Sequence, residues 1–219
     1  MLFRLMEKLY KGIHKFRESY FTKEEDFFKG LSHSQGPEVL FITCSDSRVD
    51  PNLVTQSLPG ELFIVRNVGN IVPPYNAGRG KSSAIAAIEF AVLVLGVKDI
   101  ILCGHSNCGA VAALHMEEDK FAEMPYLKEW LKICSPVTDT VNKYYQHLEG
   151  DKRQKVTEEE NILFQLRNIE TYPFVAERLN RGELHLHGWY YDIGTGHVHS
   201  YNPVSDSFEK IVYKGDKDE

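Results

Sequence analysis

Three short apolar runs, residues 39–43, 62–66 and 99–103, stand out along the chain. Each is partly β-branched and bounded by turn residues, which suits strands of a parallel sheet buried on both faces. Between the second and third runs, residues 82–95 read as a helix that ends at Gly96. Residues 157–181 read as mostly helical, opened by a Thr157/Glu160 capping box and interrupted at Tyr172-Pro173. Near the end, 184–193, 197–201 and 208–213 read as strands, with Gly194-Thr195-Gly196 as the first turn. At the start, Leu2, Met6, Leu9, Ile13, Phe16 and Tyr20 repeat at steps of four and three. That spacing lays one continuous apolar stripe along a helix.

These elements predict an α/β fold: a mostly parallel central sheet flanked by helices, with an N-terminal helical arm and C-terminal antiparallel strands. No linker, repeat or low-complexity stretch divides the 219 residues, so one domain over 1–219 is expected, with 1–30 as the arm and 214–219 as a frayed charged tail. A formal charge of −6 with scattered basic residues argues against nucleic acid as a partner. The most apolar stretch, residues 84–95, is interrupted by Glu89 and is too short for membrane insertion. The N-terminus alternates apolar residues with Arg4, Glu7, Lys8 and Lys11 and so lacks a signal-peptide core. With Cys103 inside a buried run and Cys134 beside Ser135-Pro136, the cysteines suit a reducing cytoplasm better than a disulfide framework.

The candidate chemistry follows the first and third apolar runs. Cys44-Ser45-Asp46-Ser47-Arg48 ends one, and Gly104-His105-Ser106-Asn107-Cys108-Gly109 ends the other. In open α/β sheets, sites form beyond the carboxyl ends of strands, so Cys44 and His105 are expected at one rim. Cys108 is expected in the first turn of a helix beginning near Ser106, where the helix N-terminus and a metal both favour the thiolate. Two thiolates and one imidazole make a zinc site with three protein ligands and an open fourth position, the arrangement of catalytic rather than structural zinc. A structural zinc knob or a reduced core cysteine pair is the alternative.

Those two motifs, with Arg66-Asn67-Val68-Gly69-Asn70 between them, resemble the β-class carbonic anhydrases. The resemblance runs from about residue 34 to 191, with the motifs in that family's order and spacing. It implies one zinc per chain on Cys44, His105 and Cys108, and a hydrogen-bonded catalytic pair of Asp46 with Arg48. The implied reaction is reversible hydration of carbon dioxide to bicarbonate and a proton by a zinc-bound hydroxide. Arg48 would keep Asp46 off the metal through a two-pronged pair that Lys could not reproduce. The resemblance also implies a homodimer or higher oligomer, with the N-terminal stripe clasping a neighbour. Packing of that stripe on its own subunit is the other reading.

The family has two active-site types. A Gln nine residues before the first Cys and a Phe nineteen after it mark the plant-like type, and Gln35 and Phe63 occupy those places. The Tyr that often joins them falls at Phe90, and Val68 completes the expected substrate pocket. The bicarbonate-regulated type carries a Trp where this chain has Phe41. Phe63 and Phe90 also read as core aromatics. Two other activities stay open on these motifs: hydrolysis of carbonyl sulfide or carbon disulfide, and non-catalytic bicarbonate binding. Association with a microcompartment is not readable. His185 with His187, and His197 with His199, alternate on strands at a spacing that permits a second metal but is commoner for ordinary strand histidines. His14, His33, His115 and His147 have no partner motif.

Overall fold

A computed structural model describes residues 2–75 and 82–213. The chain divides into two units, Met1–Gly36 and Pro37–Glu219. The first holds α1 (Leu2–Lys15), a wider π-helical turn (Phe16–Phe21) and α2 (Glu25–Leu31). Phe28 gathers the rings of Phe16, Tyr20, Phe21 and Phe27 at centroid distances of 5.1–5.9 Å into a half-exposed aromatic cluster. The apolar stripe is left open to solvent at Met6, Leu9, Ile13, Phe16 and Tyr20.

The second unit is built on six strands: β1 (Val39–Cys44), β2 (Leu62–Asn67), β3 (Asp99–His105), β4 (His185–Tyr191), β5 (Val198–Asn202) and β6 (Ser207–Lys210). Their order is β2-β1-β3-β4-β5-β6; the first four run parallel and the last two antiparallel. The apolar runs predicted as strands are strands, and both faces of the central pair are buried. Leu40, Ile42, Ile100 and Leu102 join one core cluster, while Phe41, Ile101 and Cys103 join another. This two-sided burial explains why the runs are continuous rather than alternating.

Helices α3 (Pro51–Thr55), α4 (Ser83–Glu89), α5 (Gly109–Ala112), α6 (Pro125–Leu131), α7 (Ser135–Tyr144), α8 (Gly150–Glu170) and α9 (Pro173–Asn180) complete the unit. Ser82 caps α4 by accepting from the Ile85 N–H. A π-helical turn, Phe90–Leu95, carries that helix on to Gly96, whose φ of 68° ends it as expected. Long α8 lies close against β3 and β4 because Gly104 and Gly188 leave room for it. A Cβ on Gly104 would come 2.8 Å from Ile162, and one on Gly188 2.9 Å from Leu166.

Several boundaries differ from expectation. Helix α8 starts at Gly150, not Thr157: residues 150–155 are too polar to show an apolar period. Thr157 therefore lies inside the helix, and its hydroxyl donates to the Arg153 carbonyl at 2.8 Å instead of capping an end. The break at Tyr172-Pro173 stands, separating α8 from α9. Strand β6 stops at Lys210, short of Tyr213. The expected tail at 214–219 lies outside the described residues. Among the described residues, no helix is long and apolar enough to cross a membrane.

Candidate metal centre

Parallel pairing places the carboxyl ends of β1 and β3 side by side, with Thr43 opposite Cys103. Cys44 is the last residue of β1 and His105 the last of β3, so one sheet edge presents both. Cys108 was expected in the first turn of a helix but is the residue that caps α5, with extended backbone (φ −70°, ψ 114°). Asn107, at φ 56°, makes the tight turn that brings it back beside Cys44. All three side chains are buried, and their ligand atoms lie within 4.8 Å of one another. No other group of three or more His, Cys, Asp or Glu side chains is poised to hold a metal among the described residues. His187 instead bonds to Asp99 at 2.8 Å, and His197 accepts from Lys210 at 2.7 Å.

The donor atoms are arranged for a cation. The two sulfurs are 3.9 Å apart, whereas two thiolates on a tetrahedral zinc stand about 3.8 Å apart. His105 Nδ1 lies 3.0 Å from the Ser106 carbonyl oxygen, which can only accept, so Nδ1 carries a proton. Nε2 is buried with no hydrogen-bond partner. A fixed tautomer with a free inward nitrogen is how ligating histidines are prepared. The sulfurs themselves are unequal: the Cys108 S–H and the Gly69 N–H favour the thiolate at Cys44 and hold its thiol below the usual thiol range. That neighbouring thiolate and burial push Cys108 upward. A divalent ion held between the sulfurs would favour the thiolate at both.

Beside this trio stands a tightly bonded ion pair. Arg48 donates from Nε to Asp46 Oδ1 at 2.9 Å and from Nη2 to Oδ2 at 2.7 Å, while its backbone N–H reaches Oδ1 at 2.9 Å. These bonds hold the Asp46 carboxyl well below the usual carboxylate range. Arg48 Nη2 also donates to the Asn107 carbonyl at 3.0 Å, tying the loop after β1 to the turn before Cys108. Arg66, from β2, donates to the carbonyls of Cys44 (3.1 Å) and Asp46 (2.7 Å). Asp46 Oδ2 lies 3.9 Å from His105 Nε2.

The expected pocket residues are spread more widely. Val68 is exposed, and its carbonyl accepts from the Trp130 indole N–H at 2.8 Å, next to Gly69 whose N–H points at the Cys44 sulfur. Phe63 and Phe90 pack on each other at 5.8 Å. In register, however, Phe63 is opposite Leu40, four residues before Cys44 and so about 13 Å along the strand from this chain's own rim. Gln35 belongs to the first unit and is exposed.

Residues missed from sequence lie on α8. Glu158 is 2 % exposed and accepts from the Cys108 N–H at 2.8 Å and the Tyr190 hydroxyl at 3.0 Å. Polar residues on a helix read as solvent-facing in the absence of a tertiary partner, so only their spacing could have signalled this.

Comparison with known proteins agrees with the geometry. The model of the carbonic anhydrase family matches residues 39–198. A carbonic anhydrase of Synechocystis sp. is 48 % identical over 203 residues, 93 % of this chain and 73 % of its own length. One from Helicobacter pylori strain J99 is 38 % identical, covering 91 % of this chain and 92 % of its own. Among solved structures, the β-carbonic anhydrase CcaA superposes with a TM-score of 0.92 at 46 % identity, covering 96 % of this chain and 94 % of that one.

Proposed function

The chain belongs to the β-class carbonic anhydrases, and on that premise we propose that it hydrates carbon dioxide reversibly at a zinc ion held by Cys44, His105 and Cys108. The observation that carries the reading is the buried, unpartnered Nε2 of His105 facing two thiols 3.9 Å apart. Held by three protein ligands, zinc would leave one position for water and lower its pKa to near neutral.

The chain's own residues then have definite tasks. Asp46, kept ionised by Arg48, is the acceptor that holds and orients a proton of the reacting water. Its Oδ2 lies 3.9 Å from His105 Nε2, beside the trio. Arg48 occupies both carboxylate oxygens and so keeps Asp46 from turning onto the metal, which supports an open site at neutral pH. Asn107 and Arg66 fix this pair to the two turns that carry the cysteines. The products are bicarbonate and a proton. Stopped-flow hydration by the metal-replete protein tests the reading: rapid proton release from dissolved carbon dioxide is expected, and a rate equal to buffer alone would defeat it.

We further infer at least a homodimer. Phe63 and Phe90 stand too far down the sheet to border their own chain's trio, so they wall the site of a second copy. The exposed stripe on α1 gives such a copy an apolar face to cover, and a β-carbonic anhydrase of Sordaria macrospora, 27 % identical with a TM-score of 0.81, is tetrameric. Light scattering should find a dimer or larger; a fully active monomer at assay concentration would contradict this. Four free, buried cysteines fit a cytoplasmic protein.

A further inference from the structure

Beside Ile162 and Ile169, which join the core, α8 buries a row of polar side chains where a helix against a sheet usually presents apolar ones. Gln154, Glu158, Asn161, Gln165 and Asn168 follow one another at steps of four, three, four and three, which places them on one side of the helix. Each is bonded to backbone of the loops around the trio or to its neighbour in the row. Glu158 Oε1 accepts from the Cys108 N–H at 2.8 Å, and Gln154 Nε2 donates to the Cys108 carbonyl at 3.2 Å and to Glu158 Oε1 at 2.6 Å. Both ends of the Cys108 residue are therefore gripped by one helix. Further along, Asn161 donates to the Gly69 carbonyl at 3.1 Å, while Gln165 accepts from the Val72 N–H at 2.9 Å and Asn168 donates to the Val72 carbonyl at 2.8 Å. Gly69 is the residue whose N–H points at the Cys44 sulfur, 3.4 Å away.

We propose that α8 is the ruler that sets the spacing of the two sulfurs, with Glu158 as the positioning residue for Cys108. The inference rests on the ligand set of the preceding subsection. Cys108 precedes a helix of only four residues, and its extended backbone has no strand partner. Glu158 supplies the acceptor that the Cys108 N–H lacks. The role needs an acceptor at Oε1, held in place by the Tyr190 hydroxyl on Oε2. Glu158→Gln keeps an acceptor; Glu158→Met, of similar length, does not.

Cobalt(II) binding to the metal-stripped full chain tests this, read as affinity by chelator competition and as the thiolate-to-cobalt absorption bands. The wild type should show bands of two thiolates. Glu158→Met should bind about 10- to 100-fold more weakly, with shifted bands. Glu158→Gln should keep the wild-type bands and fall within about 3-fold in affinity, because a neutral acceptor still holds the N–H. Gln154→Met, at a less buried position, serves if Glu158→Met does not fold, and should cost about 2- to 10-fold. Unaltered affinity and bands in every folded variant, with only melting temperature lowered, would overturn the positioning role while leaving the ligand set standing. Absence of thiolate bands in the wild type would overturn the ligand set, and the positioning role with it.

Discussion

Four cysteines are buried in this chain and none is in a disulfide, yet they form two unlike pairs. Cys103 and Cys134 each sit alone in packed surroundings, and burial pushes both thiols up to about 12. Cys103 donates to the carbonyl of Gly104, while Cys134 donates to the amide oxygen of Asn161 and accepts from the Gln165 amide. They are small core side chains with a weak donor. Cys44 and Cys108 are as deeply buried but face each other, with a histidine whose inward nitrogen has no partner. Burial alone makes a thiol inert; burial beside a second thiol and a prepared imidazole makes a ligand.

The sharpest way to break this contrast is to remove one sulfur from each pair. Cys44→Ser and Cys108→Ser should lose metal and activity together, beyond the roughly 10- to 100-fold that an outer partner of a ligand costs. Elemental analysis showing full zinc in either would remove that residue from the ligand set. Next in size, Arg48→Ala should keep its zinc but lose turnover by about 100- to 10,000-fold, because Asp46 is released from the orientation in which it holds a proton. Unchanged stopped-flow rates would separate the pair from the chemistry.

Cys103→Ser sits on the other side of the comparison. It should cost about 1–3 kcal/mol of stability by placing a hydroxyl in a dry site, with zinc content and kcat/KM unchanged. Denaturant unfolding and metal analysis on one preparation would check both halves. The smallest effect concerns pH. The Asp46 pKa is depressed in the fold, so its pairing with Arg48 contributes stability above the unfolded carboxyl value of about 3.9 and loses it as pH falls further. The stability difference between wild type and Arg48→Ala should therefore be flat from about pH 5 to 8 and shrink only below about pH 4. A difference that titrates near neutrality would contradict the pairing.

The two cysteine pairs also mark what was legible in the sequence. Strands buried on both faces announce themselves as continuous apolar runs, so β1, β2 and β3 and the chemistry at their carboxyl ends could be read directly. Motif spacing then separated Cys44 and Cys108 from the other two. The α8 row could not be read this way: Gln154, Glu158 and Asn161 resemble any solvated helix face until Cys108 and Gly69 are brought against them. The start of α8 was missed for a related reason, since residues 150–155 carry charge and no apolar period. Nor does the sequence reveal why Gly104 and Gly188 are glycines; that depends on how near Ile162 and Leu166 come.

The central claim is that Cys44, His105 and Cys108 alone among the side chains bind the metal, with Asp46 held away by Arg48. A crystal structure of the zinc-loaded protein at neutral pH tests it most directly. The account predicts zinc on the two sulfurs and His105 Nε2, no fourth protein ligand, and Asp46 still bonded to Arg48 through both oxygens. An Asp46 oxygen about 2.0–2.2 Å from zinc, the usual carboxylate bond length, would contradict it.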